Sequence, residues 1–168
     1  MKKSILSLTA IIALLLTVCL CACSDAQNDK KVSMFDLKNA MAGASNSFSD
    51  MTYASSADPD PAGIFANISD MDYSKVDSFF IYYATDGNGN ADEIAVIQVK
   101  DKRDLSLAKS ELEEHVKKRI ALYSTYDKSQ LDKLGSAVIE TDGNCAALIV
   151  GDDAAKIATA FHAFFDGE

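Results

Sequence analysis

The chain has 168 residues, with 16 lysines and arginines against 25 aspartates and glutamates, a net charge of −9 and 48% hydrophobic residues. That length suits one domain with a sizeable core. So acidic a body repels phosphate backbones and anionic headgroups, which excludes nucleic acid as a partner and leaves membrane contact to a lipid alone.

Residues 1–22 read as a lipoprotein signal peptide, with a basic start at Lys2 and Lys3, an apolar core from about Ile5 to Leu20, and small residues at the cleavage region. The box Leu20-Cys21-Ala22-Cys23 makes Cys23 the expected lipidation site; Cys19 and Cys21 follow the bulky Val18 and Leu20 where a small residue is wanted. The rival reading is an uncleaved membrane helix, since the run just reaches the roughly 20 residues that span a bilayer. It has no positive stop-transfer flank, because Ser24-Asp25-Ala26-Gln27-Asn28-Asp29 follows at once. A lipoprotein cysteine carries at least two acyl chains, enough for a durable anchor. The expected address is therefore the outer face of the cytoplasmic membrane. Losing Lys2 and Lys3 with the signal takes the net charge of −9 two units lower, to −11. Only Cys145 then remains as a free thiol, which forbids an intramolecular disulfide and suits a small buried hydrophobe.

Residues 23–31 are polar and short, a tether, and residues 32–168 are the expected single domain. Ser33 starts a helix with Met34, Leu37 and Met41 on one face, and Gly43 stops it. Ala44 to Asp60 is rich in Ser, Asp and Asn and reads mainly as loop. Asp60-Pro61 opens a short helical turn through Ile64, Phe65 and Ile68. Val76 to Tyr83 reads as a strand, with Phe79 and Ile81 toward the core and Phe80 and Tyr82 on the other face. Glu93 to Lys100 is apolar on both faces, as a central covered strand would be. A long helix capped by Asp104 carries Leu105, Ala108, Leu112, Val116, Ile120 and Tyr123 at three- and four-residue spacing, with Lys109–Glu113, Glu113–Lys117 and Glu114–Lys118 pairs outside. Ala137 to Thr141 and Cys145 to Val150 form a further hairpin. Asp152 or Asp153 then caps a last helix bearing Ile157, Phe161 and Phe164.

Thr85-Asp86-Gly87-Asn88 and Thr141-Asp142-Gly143-Asn144 repeat the same four letters, each between two strands. The expected fold is α+β: an antiparallel four-stranded sheet from two strand-strand-helix units, helices packed on the sheet, and an N-terminal helix. The run Ala91-Asp92-Glu93-Ile94-Ala95-Val96-Ile97-Gln98-Val99-Lys100-Asp101, the charged helix, Gly143-Asn144 before an apolar strand, and Asp152-Asp153 together resemble a domain-of-unknown-function family of small lipid-anchored lipoproteins of Gram-positive bacteria. The resemblance covers roughly Met34 to Phe165. It implies an extracytoplasmic lipid-anchored domain with no assigned activity and no catalytic residues to carry over. Cys145-Ala146 departs from the aromatic or aliphatic residue expected there.

The residues offer little chemistry. His115 has Glu111 four residues earlier, a two-ligand arrangement that falls short of the three or four ligands of a useful zinc site and reads as surface pairing. His162 reads as a surface position with no acid at matching spacing. Asp86, Asn88, Asn90 and Asp92 alternate like the oxygen ligands of a calcium loop, but Ala91 stands where the sharp-turn glycine belongs and Ile97 where the bidentate glutamate belongs. Neither a nucleophile elbow nor a phosphate loop occurs. The expectation is a non-enzymatic binding or protein-interaction module with no cofactor, anchored by its lipid and meeting a membrane or secreted protein. The alternative is a calcium- or cell-wall-glycan-binding module.

Overall fold

The computed structural model describes residues 32–48, 50–85 and 90–167. The signal segment, Cys23 and the tether lie outside the described residues, as do Asp86 and Asn88.

Helix α1 (Met34–Ala42) begins where Ser33 Oγ accepts from Asp36 N at 3.3 Å, and it buries Met34, Leu37 and Met41. Strand β1 (Met51–Ser55) follows, then the short helix α2 (Pro61–Phe65), whose cap Asp60 accepts from Gly63 N at 3.1 Å. Strands β2 (Val76–Ala84) and β3 (Glu93–Val99) precede the long helix α3 (Leu105–Tyr126) and the short α4 (Leu131–Gly135). Strands β4 (Val138–Asp142) and β5 (Cys145–Val150) lead into α5 (Ala154–Asp166).

The sheet has five strands in the order β1-β2-β3-β5-β4, every neighbouring pair antiparallel. The expected four-stranded sheet is therefore one strand short. The added strand, β1, lies inside the stretch read as loop. Only its last residue, Ser55, is fully buried, so its sequence lacks the alternation that marks a half-covered strand. It forms because β2 offers it a free edge, with Tyr53 opposite Tyr82 and the Tyr53 and Phe80 rings 6.1 Å apart.

Alternation along β3 divides the interior into two layers. Ala95, Ile97 and Val99 join Phe79, Ile81 and Leu148 under α2, α3 and α4, while Ile94 and Val96 join Phe80, Ala147 and Ile149 under α1 and α5. All seven residues of β3 are buried, as a strand covered on both faces requires. Phe79 and Phe80 are both fully buried on opposite faces. Cys145 belongs to the α1–α5 layer, and burial, reinforced by the charges of Asp142 and Asp77, pushes its thiol up to about 12, which makes it inert.

The caps and surface pairs differ in detail from the sequence reading. Asp104 makes no cap bond to α3 and pairs with Lys75 at 2.8 Å, while Asp101 accepts from Arg103 N at 2.9 Å in the turn before it. Asp153 precedes α5 without capping it and takes Ser45 and Lys156 instead. On α3, Lys118 reaches Asp70 at 2.7 Å and Lys117 pairs with Glu114 three residues away, so the four-residue ladder does not form. Gly143, at φ +55°, supplies the left-handed residue of the β4–β5 reversal.

Candidate functional site

Residues four apart on a helix stack on one face. On α3 this rule applies to Glu111, His115, Arg119 and Tyr123 as well as to the buried apolar residues Ala108, Leu112 and Val116 beside them. The result is a polar stripe of which His115, Arg119 and Tyr123 meet the start of β3. Glu93 opens that strand with the same orientation as Ala95 and Ile97, so its carboxylate points under α3 and is buried.

His115 Nε2 lies 2.9 Å from Glu93 Oε1, and Arg119 Nη1 lies 2.8 Å from Glu93 Oε2. The Arg119 contact is an ion pair without the alignment of a hydrogen bond for that N–H; the other amino group, Nη2, donates to Ala91 O at 3.0 Å. Burial pushes the Glu93 carboxyl up, but the His115 hydrogen bond and the charges of Arg119 and His115 outweigh it and hold the group below the usual range. Glu93 is therefore an ionised carboxylate held in the interior by two helix residues one turn apart.

The segment entering β3 is gripped from the same side. Tyr123 donates to Asn90 O at 3.1 Å, and Ala91 N donates to Gln130 Oε1 at 3.1 Å. Lys133 on α4 donates to Asp92 Oδ1 at 2.7 Å and to Asn90 Oδ1 at 3.3 Å. Asn90 and Asp92, two of the four calcium-ligand candidates, thus surround an ammonium of the chain itself, which a calcium ion would have to displace. Among the described residues, no cluster of three or more His, Cys, Asp or Glu is arranged to hold a metal. Beside Asp92, Gly151 leaves room for the Phe48 ring, which a Cβ would meet at 3.0 Å.

Glu93 and His115 form one wall of a cleft of about 350 Å³. Its apolar walls are Ala54 on β1, Ile64 on α2, Ile68 just beyond it and Ile81 on β2. Asn67 and Tyr83 complete the lining. Asn67 Nδ2 donates to Gly63 O and Ile64 O at 3.3 and 3.0 Å, so its oxygen is left for other partners. Glu111, one turn before His115, accepts from Ser69 Oγ at 3.1 Å and Asp70 N at 2.7 Å, tying the segment after α2 to α3.

The sequence reading placed His115 on the surface with Glu111; the structure gives it to Glu93, with 12% of its side chain exposed, and turns Glu111 to another task. The four-residue spacing of Glu111, His115, Arg119 and Tyr123 was the available signal. His162 was also read as lacking an acid, yet Nδ1 lies 2.8 Å from Asp142 Oδ2 and Nε2 lies 3.6 Å from Glu140 Oε2. Both acids come from β4, where spacing along α5 cannot reveal them. The Asp142 hydrogen bond is the main cause that raises the His162 pKa above its ordinary value.

The sequence model of one family, a domain of unknown function designated DUF4358, matches residues 61–151, more than half of the chain. The chain belongs to that family. The matched segment contains Ile64, Ile81, Tyr83, Glu93 and His115 of the cleft, together with Arg119 and Lys133, and leaves out α1, β1 and all of α5. No curated protein and no solved structure matches the chain. Among the described residues, no helix is long and apolar enough to cross a membrane.

Proposed function

We propose that this DUF4358 chain is a lipoprotein of the Gram-positive type, anchored through Cys23 outside the cytoplasmic membrane, whose domain binds a ligand or partner and catalyses nothing. The observation that carries the binding reading is the cleft of about 350 Å³ with Glu93 and His115 in its wall, the carboxylate held in place by Arg119. That volume falls at the small end of ligand sites, which pair apolar walls with a few fixed polar groups. The charged groups are held in place by one another, Glu93 by His115 and Arg119 and Asp92 by Lys133, which suits a fixed recognition surface. The acidic charge argues against nucleic acid as the partner. A wall glycan is the second reading, favoured by the Tyr83 ring in the cleft.

The test joins address and site. Metabolic labelling with an alkynyl fatty acid is expected to mark the chain and to fail with Cys23→Ser, which should also shift the protein from membranes to the medium. Unlabelled wild type, or a membrane-bound Cys23→Ser, would overturn the anchor. In-cell cross-linking should capture the same protein or glycan with wild type but not with Ile64→Trp, which fills the cleft. Capture unaffected by that substitution would remove the cleft from the function.

A further inference from the structure

The hydrogen-bonding character of the cleft limits what it can hold. Every fixed cation near it is committed to another group. Arg119 pairs with Glu93 and also donates to Ala91 O, Lys133 is held by Asp92, and Lys118 by Asp70. None of these three contributes to the lining. The exposed chemistry is instead acceptor-rich. Each Glu93 oxygen has one partner and lone-pair capacity for more. Asn67 turns both of its donor bonds inward, and its oxygen takes no bond from a described residue. Among the described residues, His115 Nδ1 has no partner, and neither does the Tyr83 hydroxyl, which can donate as well as accept. His115 directs its Nε2 to Glu93.

Acceptors that outnumber the donors favour a ligand that brings its own donors, because burying an unmatched polar group is costly. The Ala54, Ile64, Ile68 and Ile81 walls require the rest of that ligand to be apolar. We propose that the cleft is a site for a small ligand presenting hydroxyl or ammonium donors on an apolar body, seated against Glu93, Asn67 and Tyr83, and that it discriminates against carboxylates. A carboxylate there would meet the Glu93 charge with no uncommitted lysine or arginine to receive it. The proposal rests on the reading of this cleft as the binding site and adds the ligand class to it.

The test uses three probes of one shape: cyclohexanol, cyclohexylammonium and cyclohexanecarboxylate. Each is titrated against the intact chain in detergent micelles at neutral pH while amide shifts in the NMR spectrum are followed. The alcohol and the ammonium are expected to give saturable shifts at Tyr83, Glu93 and His115, with affinities roughly tenfold above the carboxylate, the worth of one charge-assisted hydrogen bond. Ile64→Trp should abolish the shifts in a chain whose spectrum stays folded. Tyr83→Phe, which keeps the ring, should weaken the alcohol. The alcohol and ammonium arms separate neutral from cationic ligands. A carboxylate that binds as well as the other two overturns the donor rule and leaves the cleft as a site. No saturable shift from any probe overturns both the donor rule and the binding role of the cleft.

Discussion

The two faces of the sheet are built on different physics. Under α1 and α5 the layer is apolar, with Phe80, Ile94, Val96, Ile149, Ile157 and Phe161 fully buried. Its polar exception is a row at one end: Ser78 Oγ donates to Gln98 Oε1 at 2.6 Å, Gln98 Nε2 to Asn144 Oδ1 at 3.1 Å, and Asn144 Nδ2 to Val99 O at 2.8 Å. That row is neutral, and its members bond to one another across three adjacent parts of the sheet. Under α3 and α4 the layer instead encloses ionised groups and leaves a cleft beside them. A buried neutral row fixes strand register cheaply, whereas a buried ion pair has a desolvation penalty that its attraction only roughly offsets. The face with the costly groups is the one with the cleft, and the proposed binding role draws on that face.

Removing one partner of the ionic cluster breaks this contrast most severely. Arg119→Leu leaves the Glu93 carboxylate buried with His115 alone, and urea unfolding should show a loss of about 3–5 kcal/mol. Adding Glu93→Leu to Arg119→Leu should recover part of that loss, because no uncompensated charge then remains; a double variant less stable than the single one would contradict this account. On the opposite face, Ser78→Ala leaves one Gln98 acceptor without its short bond and is expected to cost about 1–2 kcal/mol in the same measurement, with no change in ligand response at the cleft. The smallest effect sharpens the comparison at the edge. Because His162 has its pKa raised in the folded state, its contribution is fully present below the ordinary value of 6.5 and is lost as pH rises through the higher folded value. The pair is well exposed, so the change should stay below about 1 kcal/mol. Unfolding midpoints across that window should fall more for wild type than for His162→Gln, and parallel curves would remove the His162–Asp142 pair from the stability of α5 on β4.

How much was legible follows from how local each signal is. α1 could be read from Ser33, Met34, Leu37, Met41 and Gly43 because a cap, a stripe and a stop all lie within eleven residues of chain. The two-faced burial of β3 followed from its nearly continuous apolar run, and the split of Phe79 from Phe80 from period-two alternation. β1 was not legible, since its identity as a strand comes from β2 and the aromatic ring of Phe80, not from its own five residues. The charged wall lay half in view: the spacing of His115 and Arg119 was on the page, but Glu93 stands 22 positions before His115 and read only as the first residue of an apolar strand.

The sequence by itself determined α1, α3 and α5, the β2–β3 and β4–β5 hairpins, the burial of Cys145 and the acidic balance, because periodicity, turn chemistry and composition act over a few residues. Only the tertiary structure decided that the sheet has a fifth strand, that Glu93, His115 and Arg119 meet, and that a cleft opens beside them. Those features depend on which face of one element meets which face of another. Side-chain direction along a strand or helix is periodic and readable, whereas the partner that direction meets is set by packing across the whole domain.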